Sequence, residues 1–171
     1  MKNILYVLVV MVTFMSCQKQ AKIGFIDNGK VINEYQEKKD LEAKFQLKEE
    51  VFRKKFDSID SAFQIEVQKF QSQAQKMAPN KAQEKYQELG KQKQLNDQQR
   101  QVEAQQFQQE FQTKIDTIIV KVKDYVKSYG KTNGYTYILG TSDAASNVLY
   151  GTDENNLTDI ILDALNKEYK K

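Results

Sequence analysis

The sequence predicts an α+β fold in which a small β-sheet body is interrupted by a long antiparallel α-helical hairpin. Strand-like segments stand near both ends of the chain, at residues 22–27, 135–139 and 147–150. Between Val31 and Tyr129 the chain contains one Pro, Pro79, and one Gly, Gly90. Only 40% of the 171 residues are apolar. That composition suits long exposed helices better than a packed sphere.

The amino-terminal segment has the pattern of an export signal. Lys2 precedes an apolar run from Ile4 to Met15, and the small residue Ser16 stands directly before Cys17. The run is shorter than the roughly 20 apolar residues of a membrane-spanning helix. We therefore predict a signal peptide over residues 1–16. Cys17 is either the lipid-attachment residue of a lipoprotein or a free thiol after cleavage, and as the single Cys it forms no intramolecular disulfide.

The body is predicted from two separated pieces, residues 17–30 and 131–171. KIGFID, closed by Asn28-Gly29, suits a strand and a turn, and YTYIL and NVLY are bracketed by Gly or polar turn residues. LTDIILDALNKEY predicts an amphipathic helix with Thr158 as its N-cap. Three short strands and one helix make a small core, so we expect partner chains. The expected body core consists of Ile23, Phe25, Tyr135, Tyr137, Leu139, Val148 and Tyr150.

Residues 31–130 predict the hairpin, with its tip near residues 77–81. Pro79 ends one helix and suits the first turn of the next, which leaves two helices of nearly equal length, roughly 45 to 50 residues. Their apolar residues recur every eleven positions, and a period of about 3.67 residues per turn predicts a nearly straight pair. The predicted seam consists of Leu41, Phe45, Phe52, Phe56, Ile59, Phe63, Phe70, Phe107, Phe111, Ile115, Ile118 and Val122.

Some apolar residues of the hairpin fall outside these rows, and they are the candidates for contact with another molecule. They are Leu47, Val51, Ile65, Leu95 and Val102. Isolated apolar residues are also normal on protein surfaces. Residues 69–100 carry seven basic against three acidic side chains. This excess predicts either a solvated surface or attraction to anionic lipid or acidic polypeptide segments.

Several functional classes find no support in the composition. The chain has no His and one Cys, so the usual metal sites and catalytic nucleophile arrangements are absent from the sequence. No Gly-rich phosphate loop precedes a Lys-Ser or Lys-Thr pair. The charge is nearly balanced, with 26 basic and 23 acidic residues, which does not indicate nucleic-acid binding. We therefore predict no enzyme activity, no cofactor and no metal.

Taken together, the layout resembles the Skp/OmpH family of periplasmic chaperones. The likeness is carried by the export signal, by KIGFIDNGKVINEY, and by the closing pattern Val148-Leu149-Tyr150 followed by Leu157-Thr158-Asp159, Ile161 and Leu165-Asn166. The resemblance implies a homotrimer whose strands form a small β-barrel, with three hairpins around a cavity. It also implies ATP-independent holding of unfolded outer-membrane proteins in the periplasm. Cys17 departs from the soluble members and implies a version tethered to the membrane by an N-terminal lipid.

A second hypothesis explains the same signal and apolar seam. The chain would be a lipid-anchored coiled-coil spacer or adaptor of the cell envelope that docks through its tip. Such a spacer has no need of strands that assemble into a trimeric body, so the number of chains in the assembly distinguishes the two hypotheses.

Overall fold

The structure, a computed structural model, describes residues 20–142, 145 and 147–170. The predicted signal peptide and Cys17 lie outside these residues. The elements are β1 (Ile23–Asp27), α1 (Asn28–Glu34), α2 (Gln36–Ala74), α3 (Pro79–Thr132), β2 (Tyr137–Thr141) and α4 (Thr158–Tyr169), with a 3-10 turn at Asp153–Asn155. Contacts divide the chain into two compact units. The first unit contains the described residues of 20–31 and Val122–Tyr169, and the second contains Ile32–Lys121.

The sheet of the first unit consists of two parallel strands, with Ile23 opposite Tyr137 and Asp27 opposite Thr141. β2 begins two residues later than predicted, because Tyr135 follows α3 and its backbone N–H closes the last turn of that helix. Gly134 adopts a φ of 72°, and the Tyr135 N–H donates to the Gly130 carbonyl oxygen at 2.9 Å. This is a Schellman closure, in which Gly supplies the left-handed residue at the helix end.

The predicted strand at residues 147–150 is wrong for the described chain. Residues 147–150 form no strand, and the side chains of Leu149 and Tyr150 are 91% and 86% exposed. The free side of β1 is occupied farther along the chain. Asn156 forms an isolated parallel bridge with Phe25, and the Leu157 N–H donates to the Phe25 carbonyl oxygen at 2.8 Å.

In the single chain, the residues of β1 that face the core of the first unit alternate with the predicted core residues Ile23 and Phe25. Gly24 and Ile26 are buried, whereas Ile23 is exposed and Phe25 is half-buried. Leu157 lies so close to Gly24 that a Cβ there would stand 2.6 Å from Leu157 Cδ1. The buried apolar residues of this unit are Ile26, Val31, Val122, Leu157, Ile161, Leu162 and Leu165.

The remaining residues of the predicted body core are also not fully buried in the described chain. Tyr137, Leu139 and Tyr150 are exposed, and Tyr135 and Val148 are half-buried. That prediction depended on partner chains, so it stays a prediction for an assembly.

Two helix starts differ from the sequence prediction. Asn28-Gly29 begins α1 instead of forming a turn, because the Lys30 N–H donates to Asp27 Oδ1 at 2.9 Å and Asp27 thereby caps the helix. At α4, Asn156 Oδ1 accepts the Thr158 N–H at 3.0 Å. The buried Thr158 hydroxyl instead accepts the Asp27 N–H at 2.9 Å. Thr158 thus ties the end of β1 to the start of α4.

The second unit is a helical hairpin. α2 ends at Ala74 and α3 begins at Pro79, and the two helices are 39 and 54 residues long rather than nearly equal. Part of the difference arises at Tyr35, whose ψ of 123° separates α1 from α2. Residues of α3 from Val122 onward belong to the first unit.

Candidate functional site

An aromatic cluster joins the two helices of the hairpin. Phe45 packs between Phe107 and Phe111, with ring centroids 5.2 and 5.0 Å away. Phe52 contacts both Phe56, at 4.7 Å, and Phe107, at 6.5 Å. The rings are tilted or stacked at distances where aromatic pairs attract one another. They therefore fix the register of α2 against α3.

The residues of the predicted seam are all at least half-buried. Phe45, Phe56, Ile118 and Val122 are buried, Val122 in the first unit and the other three in the hairpin. The half-buried ones are Leu41, Phe52, Ile59, Phe63, Phe70, Phe107, Phe111 and Ile115. Leu89 is buried as well and was missed, because it stands in the polar segment that follows Pro79.

A row of ion pairs crosses between the two helices. We call the four lysine pairs the ion-pair ladder: Lys121–Glu37 (2.6 Å), Lys48–Glu110 (2.7 Å), Lys55–Glu103 (2.6 Å) and Lys85–Glu66 (2.8 Å). The first three pairs use residues 37, 48 and 55 of α2, and their partners on α3 are residues 121, 110 and 103 in the same order. These equal steps of 11 and 7 residues place them on one face of the hairpin. Opposite charges at such matched steps were the signal available in the sequence.

The ladder perturbs the acidity of its members. The hydrogen bond from the partner lysine lowers the pKa of each of three carboxyl groups, those of Glu66, Glu103 and Glu110. At Glu37 partial burial acts to raise the pKa, but hydrogen bonds from Lys121 and Tyr35 outweigh it, and the pKa is lowered. A fifth pair, Arg100 with Asp60, lies off the ladder, and the hydrogen bond to Asp60 raises the Arg100 pKa.

The five candidate contact residues are all exposed. Leu47 and Ile65 are each 66% exposed, and Val51, Leu95 and Val102 are exposed as well. Leu47 and Ile65 are five helical turns apart and therefore point in the same direction, away from the seam. Two further exposed residues, Tyr86 and Val120, were missed because they fall within or beside the eleven-residue rows. The hairpin thus displays separate apolar side chains on an otherwise polar surface.

Each broad face of the hairpin carries a shallow groove. On the ladder face, a groove of about 420 Å³ is lined by Glu66, Glu88, Lys91, Gln92, Leu95 and Asn96. On the other face, a groove of about 530 Å³ is lined by Asp60, Phe63, Gln64, Val67, Gln68, Gln71 and Lys93. Polar side chains thus surround a few apolar groups in both grooves, an arrangement that suits many weak contacts better than one tight site.

The first unit contains a pocket of about 450 Å³ beside β2. Its apolar part includes Ile26, Val122 and Val126, and its rim carries Lys123, Lys127 and Lys131. Within the described residues no helix is long and apolar enough to cross a membrane, and no group of three potential metal ligands comes together.

Comparison with known proteins identifies the family. The family model for outer membrane protein (OmpH-like) matches residues 22–165. The chain belongs to the OmpH-like family. The match includes most of both pieces of the predicted body and the whole hairpin, so the OmpH-like assignment concerns nearly all of the described chain. No curated protein matches the sequence.

A solved structure supports the OmpH-like fold. The chain is similar to a protein of Caulobacter crescentus CB15 that is described as a candidate outer membrane chaperone (OmpH-like). The TM-score is 0.75, the sequence identity is 9%, and the alignment covers 89% of this chain and 88% of the other. At this identity the likeness concerns the fold alone.

Proposed function

We propose that this OmpH-like chain is an ATP-independent periplasmic holdase that binds unfolded outer-membrane proteins. The observation that carries the proposal is the set of exposed apolar side chains on a polar hairpin, Leu47, Val51, Ile65, Leu95 and Val102. Burying one such side chain against a client contributes about 1.5–3 kcal/mol at most. Several separate contacts of this size hold an unfolded chain without selecting one sequence.

The proposal includes a homotrimer that pools its strands in a small β-barrel. Its support is the exposure of apolar residues in the first unit, namely Tyr137, Leu139, Leu149 and Tyr150. A sheet of two strands with exposed apolar residues gains stability when another chain covers it. In this arrangement three hairpins surround a cavity in which the client is held.

The proposed cellular site is the periplasm, with Cys17 carrying a lipid that tethers the chain to a membrane. The apolar run from Ile4 to Met15 and the single Cys directly after Ser16 support this. Tethering restricts where clients are met but leaves the hairpin surface available. Because no nucleotide motif is present in the sequence, client release is expected to follow from folding of the client into the membrane.

The central test uses the purified mature protein and a urea-unfolded outer-membrane β-barrel protein diluted into buffer. We expect light scattering from client aggregation to be slowed by the chaperone at equimolar trimer, without nucleotide. Unchanged aggregation would reject the holdase function.

Native mass spectrometry of the acylated protein, with and without the client, then reports lipid mass, chain number and stoichiometry together. Cross-linking that yields only monomers or dimers would favour the spacer hypothesis instead.

A further inference from the structure

A stripe of glutamines follows α3 on the face opposite the ion-pair ladder. Successive residues of a helix are rotated by about 100° around its axis. Between residues 83 and 112, the positions that face one sector of α3, roughly 80° wide, are all Gln except Gly90. We call this set the glutamine stripe: Gln83, Gln87, Gln94, Gln98, Gln101, Gln105, Gln108 and Gln112. All eight are exposed, and the stripe runs about 44 Å at 1.5 Å per residue.

The other helix continues the same chemistry. Gln64, Gln68 and Gln71 are spaced by four and three residues on α2, and they line the groove on the face that lacks the ladder. Because both helices turn their ladder residues to one side, their glutamines share the other side. The ladder face therefore carries paired charges, and the other face carries the neutral amides of the stripe and of these three α2 residues, with Asp60 and Lys93 as charged neighbours in the same groove.

The amides of the stripe are free to bind another molecule. Among the described residues, Gln112 donates to Asp116 Oδ1 at 2.9 Å, and the other seven members of the stripe form no side-chain hydrogen bond within the chain. A primary amide offers two N–H donors and one carbonyl acceptor. These are the same neutral groups that each peptide unit of an unfolded chain exposes. The Gln side chains and the peptide units thus have the same kinds of hydrogen-bonding groups, and both are uncharged.

We propose that the glutamine stripe binds the backbone of the unfolded client in an extended conformation. This inference rests on the proposed holdase function and names the part of the client that is recognised. Stripe members follow one another along the helix axis at about 4.5–6 Å, with one wider step across Gly90. An extended chain presents backbone groups to the same side at every second residue, which is a repeat of about 6.4–6.8 Å. The long side chain of Gln covers the difference.

Binding through backbone groups explains how one surface serves clients of different sequence. A single exposed hydrogen bond contributes little net free energy, so the stripe acts through number and each contact breaks easily. A charged stripe would instead attract or repel according to the client's side chains. The exposed apolar residues and the stripe then contribute separately to holding.

The test compares two full-length double variants on the same stretch of α3. Gln101→Ala/Gln105→Ala removes two stripe amides, and Gln106→Ala/Gln109→Ala removes two exposed amides outside the stripe. The probe is a fluorescein-labelled, uncharged peptide rich in Ser, Thr and Val, measured by anisotropy. We expect the stripe variant to bind it roughly fivefold more weakly and the control to bind like the wild type. Equal affinities of the two variants would overturn the proposal.

A second peptide isolates the backbone contribution. The same sequence carrying N-methyl groups at alternate residues lacks those N–H donors, and we expect the wild type to discriminate against it while the stripe variant does so less. Equal loss in both proteins would contradict the proposal. Sedimentation of each variant is measured in parallel. A changed chain number for the stripe variant alone would show that the stripe joins copies of this chain, which also overturns the proposal.

A substitution at Gly90 is expected to strengthen peptide binding. No atom lies within 4 Å of the position that its Cβ would take. Gly90→Gln completes the stripe, and Gly90→Ala matches its helix-stabilising effect without adding an amide. We expect the Gln variant to bind the unmethylated peptide roughly twofold tighter than the Ala variant, and no difference would contradict the proposal. The peptide results are independent of the aggregation assay, so failure of the stripe and failure of the holdase function are distinguishable.

Discussion

Phe45 and Phe111 pack across the hairpin with ring centroids 5.0 Å apart. Phe45 is buried, and its ring also contacts Phe107. We expect Phe45→Ala to destabilise the protein by about 3 kcal/mol, because it removes buried aromatic surface and leaves a cavity. Urea unfolding followed by circular dichroism measures the change. Leu47→Ala, on the exposed side of α2, serves as the control, with an expected change below about 0.5 kcal/mol. Equal changes in the free energy of unfolding for the two variants would contradict the packing of Phe45 in the seam.

Substitutions at Phe63 and Ile65 distinguish an effect on folding from an effect on client holding. Phe63 is half-buried on the seam side, whereas Ile65 is 66% exposed. We expect Phe63→Asp to lower helicity, because a charge on the seam is desolvated without a partner. Ile65→Asp is expected to leave helicity unchanged and to weaken suppression of client aggregation. Circular dichroism and light scattering are measured on both proteins, and Ile65→Asp that holds clients as well as the wild type would remove Ile65 from the contact surface.

The ion-pair ladder makes the stability of the folded chain depend on pH. The pKa of the carboxyl groups of Glu66, Glu103 and Glu110 is lowered in the folded chain from the ordinary value of 4.5. Groups of this kind contribute stability above the unfolded pKa, and the contribution is lost as the pH falls through the folded pKa. We therefore expect the midpoint of urea unfolding to decrease between pH 6 and pH 3.

A matched variant assigns this acid dependence to the ladder. Lys55→Met removes the partner of Glu103 while keeping most of the side chain's length, so its midpoint should fall less steeply over the same pH range. An acid dependence as steep as that of the wild type would show that the Lys55–Glu103 pair contributes nothing to it. High salt is expected to weaken the ladder in both proteins, because exposed pairs are screened.

Gly24 and Gly90 should respond to alanine in opposite directions. A Cβ at Gly24 would stand 2.6 Å from Leu157 Cδ1, inside the core of the first unit. We expect Gly24→Ala to destabilise by about 1–3 kcal/mol through overpacking. Gly90 stands in the interior of α3 with open space beside it, so Gly90→Ala should stabilise by about 1 kcal/mol. Thermal unfolding measures both. A Gly24→Ala variant as stable as the wild type would contradict the packing of Leu157 on β1, and a destabilised Gly90→Ala variant would contradict the open space at Gly90.

The sequence predicts the helices of this protein better than its sheet. The spacing of Phe45, Phe52 and Phe56 is a local pattern, and a helix repeats it in space. Within the single chain the buried positions of β1 are Gly24 and Ile26, and Gly24 has no side chain that marks it as an inward position. Its burial depends on Leu157, which is more than 130 residues away in the sequence. Asp27 at the start of α1 was a readable cap, since its carboxylate lies three residues before Lys30.

Among the candidate contact residues, exposure was predictable from position relative to the seam, as for Val51 and Val102. The ladder was harder to predict, because Lys48 and Glu110 become neighbours only after the register of α2 and α3 is known. A charge on a helix has many possible partners until the aromatic residues fix that register. Tyr86 was missed for a related reason. It lies at seam spacing, yet it is 69% exposed near the tip.

The parallel pairing of β1 with β2 imposes an order on folding. Ile23 cannot meet Tyr137 until more than a hundred intervening residues have been synthesised, and closing so long a loop from a disordered chain is entropically costly. We expect the hairpin to form first, because its contacts nearest the tip are local in sequence. In the folded chain the Lys121–Glu37 pair joins α2 and α3 at 2.6 Å, at the end of the hairpin away from the tip. We expect pulse-labelling hydrogen exchange to show protected amides in α2 and α3 before those of β1 and β2. The chain would thus complete its sheet last, after its helices have shortened the distance to be closed.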